Sequence, residues 1–310
     1  MKEKKPAVKK PEKRKGLYRT RELHVMLVPA VVFTAIFSYL PLFGLVMAFQ
    51  EFKPLLGFRG SSFVGLKQFQ YIFTMPSFKT AFVNTVIIAF FKIILSILVP
   101  LVLSLMLNEV TKNWYKRAVQ TIVFIPYFFS WAILAGMILE IFAYDGIINN
   151  ALNALLENER IAFLVSNQYF RSIIIASDVW KGMGYNTVLM LAAITNVDAA
   201  LYEAAQVDGA GRWKQVLHIT LPSILPMVAV LTVLGLGGIL NAGFDQILIM
   251  YNPTVEKTVD ILDTLVYRMG IAGRQYSAAA AMGLFKSVVS IIFVGISYLI
   301  LYKKSDYRVF

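Results

Sequence analysis

Lys92, Asp178, Lys181, Asp245 and Lys286 are ionisable side chains well inside stretches that are mostly apolar. An ionised group at the centre of a membrane span costs roughly 2.5–3.5 kcal/mol on insertion scales, so each needs a partner, a route to water or a polar path. Asp178 and Lys181 are three residues apart on one helical face, which makes them the expected ion pair. Lys286 lies about seven residues, or about 10 Å, from the end of its stretch and can extend toward water. Lys92 is deeper and is expected to face protein. Near these charges stand Trp180, Tyr185, Asn186, Asn241 and Phe244. Aromatic faces stack on sugar rings and amides exchange hydrogen bonds with hydroxyls, so these five and Asp245 could line a path for a sugar. Helix packing through interhelical hydrogen bonds is the stronger reading for any single one of them.

Other chemistries lack their residues. The chain has no cysteine, which removes disulfides, thiolate nucleophiles and iron–sulfur ligation. Its two histidines, His24 and His218, are far from metal-ligand spacing. No GxxxxGK[ST] occurs, and Gly235-x-Gly237 is followed by Leu240 where a dinucleotide fingerprint needs its third glycine, so the chain is not itself an ATPase. No nucleophile–base pair sits in the apolar stretches. We therefore expect no enzyme activity, no metal and no cofactor of its own. Gly182, Gly184, Gly235, Gly237 and Gly238 are expected to allow helices to approach closely.

Composition sets the elements that must hold these residues. Hydrophobic residues make up 58% of the 310 and charged ones 15%, and the mean hydropathy is +0.65, well above a soluble domain. About 20 apolar residues are needed to cross the hydrocarbon, and six stretches qualify: Val25–Phe49, Phe82–Leu107, Ala118–Phe142, Phe170–Ile194, Ile224–Met250 and Ala279–Tyr302. Each must be helical, since an isolated strand would leave backbone groups unpaired in lipid. The expected fold is all-α, a polytopic membrane protein with six transmembrane helices over residues 25–310 and no internal repeat. The first stretch is about 25 residues long and lacks a small-x-small cleavage site, so it is not read as a cleavable signal.

Residues 1–24 form a basic arm with ten Lys or Arg and three Glu. Beside a membrane span this reads as a solvated tail along the lipid surface rather than a nucleic-acid binder. With the N-terminus inside, eighteen basic residues fall on the inner side and eight on the outer; without the arm the count is eight against eight. The bias places both termini in the cytoplasm. Thr258–Met269 carries Ile261, Leu262, Leu265, Val266 and Met269 on one stripe, expected either at the membrane interface or packed on the protein.

The remaining feature is a polar hairpin, residues 198–222, between the fourth and fifth stretches. Asp198 can cap a short helix through Val207, and Asp208-Gly209 should end it, because glycine tolerates the left-handed conformation of a helix C-terminus. A second short helix should run from Arg212 to Thr220, with Pro222 opening the fifth span. Ala199, Ala200, Ala204, Ala205 and Ala210 leave little bulk, while Glu203, Asp208 and Arg212 supply acceptors and a fork donor at the rim. Another protein could therefore dock closely here.

Glu203-Ala204-Ala205, three residues, Gly209, nine residues, Ile219, one residue, Leu221-Pro222 resembles the EAA signature of permease subunits of bacterial ATP-binding-cassette importers. Val216 stands where many sugar permeases carry an aromatic residue. Asp178–Ile194 and Leu240–Val255 look like spans four and five of carbohydrate-type permeases, and Leu27–Phe52 is similar to the first span of the oligosaccharide and polysaccharide branch. The resemblance covers about residues 20 to 310. It implies a type I importer-permease fold in the bacterial plasma membrane, paired with a second, different permease. It further implies two ATPase subunits holding ATP and Mg, an extracytoplasmic solute-binding protein, and an oligosaccharide as substrate. The coupling residues would be Glu203, Ala204, Ala205, Asp208, Gly209, Ala210 and Arg212. An ion-coupled carrier for a polar solute is the competing expectation, which leaves the hairpin without a role.

Overall fold

The computed structural model describes residues 21–156 and 159–304; most of the basic arm expected over residues 1–24 lies outside them. Among the described residues, four helices are long and apolar enough to cross a membrane, and two bent helix pairs bring the number to six if each is one span. We call them spans 1 to 6.

Span 1 is His24–Phe49, and none of its most apolar window is buried. It widens to a π-turn at Ala35–Tyr39 and tightens to a 3-10 helix over Leu40–Phe49. Pro41 lies at this transition, where its ring would clash with the carbonyl four residues back in a regular α-helix. Only the Leu40–Phe49 half packs extensively, against span 6. Span 2 begins at Pro76, six residues before the expected Phe82, and runs to Glu109. A proline at the first helical turn costs no hydrogen bond, which extends the helix beyond its apolar run.

Span 3 is not the straight Ala118–Phe142 helix expected. Asn113–Phe128 and Trp131–Ile141 meet at 107°. Pro126 sits in a 3-10 turn, and Phe129 and Ser130 are extended, so the i to i+4 ladder stops there. Span 4 is Phe170–Thr195, as expected. Spans 2 and 4 make the most extensive pairing in the fold, with Ile88, Ala89, Ile173, Ile174 and Val179 in one buried cluster. Gly184 lets span 4 approach the backbone of span 3: a Cβ there would lie 2.4 Å from the Val123 carbonyl oxygen. A Cβ at Gly182 would meet nothing within 4 Å, and at Gly235 and Gly237 only ordinary contacts at 3.5 Å, so close approach belongs to Gly184 alone of the five expected.

Span 5 also differs from the expected Ile224–Met250. It is one helix from Arg212 to Gly237, so the expected second hairpin helix is its first turns. A π-turn at Val216–Thr220 precedes Pro222 and accommodates the carbonyl that Pro222 would otherwise strike. The helix stops at the glycine-rich 235–238 stretch, and after a non-helical link a separate helix, Phe244–Met250, follows. Span 6 is Tyr276–Lys304.

The Thr258–Met269 stripe packs on the protein. Val259, Ile261, Leu262 and Leu265 are all buried, Leu262 and Leu265 against Ile72, Phe78, Ala81 and Met282. The segment divides into Glu256–Val259 and Leu262–Tyr267. Arg268 grips both carboxylate oxygens of Asp260 at 2.9 and 2.8 Å and bonds the Tyr251 hydroxyl at 3.0 Å. Burial pushes the Tyr251 phenol above its ordinary value, opposed by the adjacent Arg268.

Candidate functional site

The first helix of the hairpin is capped at both ends. Asp198 Oδ1 accepts the Ala200 N–H at 3.0 Å at the start of the Ala199–Val207 helix. At the other end Gly209 adopts φ +74°. The Gly209 N–H reaches the Gln206 carbonyl at 3.0 Å and the Ala210 N–H the Ala205 carbonyl at 2.8 Å, the paired closure that satisfies a helix C-terminus. The arms are tied by Tyr202 Oη to Thr220 Oγ1 at 2.9 Å and by Gln215 Nε2 donating to the Ala210 carbonyl at 2.9 Å. The hairpin is thus a fixed shape continuous with span 5. Removing the cap with Asp198→Ala should cost about 1 kcal/mol locally. Hydrogen exchange of the Ala199–Val207 amides is then expected to quicken about fivefold.

Glu203, Ala204, Asp208 and Gly209 are exposed, and Ala205 and Ala210 are half-buried. Arg212, expected at the rim, is exposed but engaged within the chain, its Nη1 donating to Glu109 Oε2 at the end of span 2 at 3.1 Å. Val207 and Trp213 flank the turn at 89% and 80% exposure. Both are apolar side chains left bare on a polar hairpin. The sequence reading missed both, since each looks like part of an apolar helix face.

Inside the bundle the charges pair differently from expectation. Asp178 does not pair with Lys181; its Oδ1 lies 3.2 Å from Lys92 Nζ. Lys181 instead donates to the carbonyls of Tyr127 and Phe129 at the break in span 3, with its ammonium 5.5 Å from the Trp131 ring. Lys286 extends to a residue outside the apolar stretches: its ammonium bonds both Asp263 oxygens at 2.6 and 2.7 Å and Asn241 Oδ1 at 2.6 Å. Lys92 faces protein as expected, 6% exposed, and donates to the Ala242 carbonyl at 2.8 Å and to Gln246 Oε1 at 2.6 Å.

The six expected path residues are not one group. Asn241 and Phe244 share the wall of a cavity of about 600 Å³ with Asp263, Tyr267, Tyr276 and Lys286. Asn241 also lines a smaller cavity of about 180 Å³ with Lys92, Ser96 and Asp178. Tyr185 stacks on Tyr127 with centroids 4.9 Å apart, and Asn186 Nδ2 donates to the Ser96 carbonyl at 3.1 Å, so these two join helices. Trp180 and Asp245 are exposed and line neither cavity. The larger cavity combines aromatic rings with a carboxylate, an amide and an ammonium, a set that can stack on a sugar ring and bond its hydroxyls. Asp263, Tyr267 and Tyr276 were missed because they lie outside the apolar stretches in which path residues were sought.

The comparisons with known proteins agree with this architecture. Residues 93–306 match the family described as "Binding-protein-dependent transport system inner membrane component". The chain is similar to Protein LplB of Bacillus subtilis (strain 168), 41% identical over 92% of this chain and 90% of the relative. It is also 39% identical to the polygalacturonan/rhamnogalacturonan transport system permease protein YteP of the same organism, over 92% of this chain and 90% of that one. A crystal structure of a bacterial ABC transporter involved in the import of the acidic polysaccharide alginate contains a chain with the same fold. Its TM-score is 0.85 at 38% identity, over 93% of this chain and 98% of that one. These likenesses favour an ABC permease over an ion-coupled carrier. With four to six apolar spans among the described residues, a capped polar hairpin and a matching family over residues 93–306, this chain belongs to the inner membrane components of binding-protein-dependent transport systems.

Proposed function

We propose that this chain is one of two unlike permease subunits of an ATP-driven importer in the bacterial plasma membrane, carrying an oligosaccharide into the cell. The capped hairpin is the observation that carries the reading. It holds Glu203 and Gly209 at the positions of the EAA signature, and it exposes Val207 and Trp213 beside them. In this reading the hairpin and both termini face the cytoplasm, consistent with the excess of Lys and Arg on that side. A cleft of one ATPase subunit covers the hairpin, through Glu203, Ala204, Ala205, Asp208, Gly209, Ala210 and Arg212. ATP and Mg belong to the two ATPase subunits, since this chain has no phosphate-cradling loop. An extracytoplasmic solute-binding protein delivers the sugar, as in the alginate transporter solved with its pentasaccharide-bound periplasmic protein.

Asn241 and Phe244 are the path residues this reading retains, joined by Tyr267 and Tyr276 in the larger cavity. YteP is named for polygalacturonan and rhamnogalacturonan, and the solved importer takes alginate. Oligosaccharides containing uronic acids are therefore the first substrates to try. The test is reconstitution of the chain with its partner permease, ATPases and binding protein in proteoliposomes, followed by ATP hydrolysis across a panel of oligosaccharides. Stimulation by one sugar class, with co-purification of the ATPase, is expected. A purified chain that brings down no ATPase would overturn the reading.

A further inference from the structure

Each of the three intramembrane lysines is bonded where a helix stops. Lys181 caps the break in span 3, while Lys92 and Lys286 meet from two sides at the break after span 5. A break within a bilayer needs donors and acceptors from neighbouring helices, because no water reaches the freed backbone groups. Lys181 satisfies a fixed corner in this way. The span 5 break has a different neighbourhood, fixed by burial on one side and half-buried on the other.

On the half-buried side, the helix Arg212–Gly237 is continuous with the hairpin, 26 residues or about 39 Å long, and packs on spans 2, 4 and 6. Of its Leu221–Gly237 part only Ile224 is buried. On the fixed side, Gln246, Ile247 and Met250 are at most 2% exposed. Gln246 Nε2 donates to the Ile174 carbonyl at 2.8 Å and to Ser177 Oγ at 2.7 Å, and its Oε1 accepts from Lys92. Gly243 at φ +97° forms the turn, and a Cβ there would lie 2.6 Å from Lys92 Nζ. A side chain at position 243 would crowd the Lys92 ammonium where it meets the Ala242 carbonyl, and the positive φ of Gly243 itself favours glycine.

We propose that Lys92, with Asp178 and Gln246, is the fulcrum of a hinge at residues 238–243 and is a positioning residue for transport. The inference rests on the proposed importer reading. Motion of the hairpin travels along this helix and meets a fixed point at Ala242. The displacement is then taken up at Asn241, whose side chain lines both cavities and leaves or rejoins Lys286. Lys286 keeps its charge paired with Asp263 whether or not Asn241 is bonded, so this contact can break without stranding an ion. Without the fulcrum, the helix moves and the cavity walls do not follow.

The test uses the whole importer in proteoliposomes and reads sugar uptake and ATP hydrolysis together. Lys92→Met alone would strand the Asp178 carboxylate, so the informative variant is Lys92→Met with Asp178→Asn, which removes both charges at similar volume. The expected result is a complex that assembles and hydrolyses ATP within twofold of the native one but moves at least tenfold less sugar per ATP. Uptake and hydrolysis falling in proportion, or an unchanged ratio, would overturn the hinge. A second measurement does not depend on that variant folding. A Cβ at Gly237 would lie 3.5 Å from Val294 Cγ2, and the chain has no cysteine, so Gly237→Cys with Val294→Cys can tie the lever to span 6. Oxidation is expected to stop uptake and reduction to restore it, whereas normal uptake by the oxidised pair would overturn the hinge. A native complex showing no sugar-stimulated hydrolysis would instead sink the importer reading itself.

Discussion

Replacing Gly209 by proline is expected to abolish uptake by the assembled importer, at least a hundredfold, while leaving the chain in the membrane. Gly209 sits at φ +74°, and proline holds φ near −65°. The same change removes the N–H that reaches the Gln206 carbonyl, and moving the turn opens the adjacent Ala210–Ala205 closure. A conformational clash and two lost hydrogen bonds together cost about 3 kcal/mol or more, which is a hundredfold or more in the population of the docking shape. The spans do not depend on the turn, so membrane insertion should persist. Gly209→Ala keeps the N–H and loses only the ease of the left-handed conformation, about 1 kcal/mol, so it should fall between. The measurements are uptake of labelled oligosaccharide and the amount of ATPase retained on the purified permease. Glu203→Arg should lose the ATPase as well, through charge reversal at an exposed position with no change to the hairpin. Normal uptake by either complex would count heavily against docking at this hairpin.

Gly184→Val is expected to have the largest effect on stability. The new Cβ would fall 2.4 Å from the Val123 carbonyl oxygen and 2.6 Å from the Phe124 Cα. These are backbone atoms at the bend of span 3, and they cannot turn aside as the end of a side chain can. Spans 3 and 4 must separate, which also strips Tyr185 from Tyr127 and draws Lys181 off the carbonyls it caps. Overpacking of this kind costs about 3 kcal/mol. The detergent-solubilised variant should unfold well below the native midpoint. Gly182→Val is the control, because that face is open, and a shift within about 0.5 kcal/mol is expected. If both variants melt with the native protein, the close approach of spans 3 and 4 is wrong.

The residues that were read well from the chain are those whose environment is their own neighbourhood. Asp198 and Gly209 act on backbone groups a few positions away, so cap and stop were legible from order alone. Span 4 was legible because nothing in Phe170–Thr195 interrupts its apolar helix. Spans 3 and 5 break where the sequence predicts unbroken helices, because apolar run length does not encode helix continuity. Pro126 and the glycines at 235, 237 and 238 were visible, yet prolines and glycines are common in transmembrane helices, and Pro100 lies inside the unbroken span 2.

Sequence by itself determined that this chain crosses a membrane, that the first helix of its polar hairpin is capped at both ends, and which family signature the hairpin carries. These follow from apolar run length and from contacts within one turn of helix, which neighbours in the chain decide. Only the tertiary structure decided that Asp178 belongs to Lys92 rather than Lys181, and that the lysines secure broken helices. Lys92 meets Ala242 across 150 positions and Lys181 meets Phe129 across 52. In a medium without water, a freed carbonyl takes its donor from whichever helix packs beside it, and spacing along the chain carries no record of that choice.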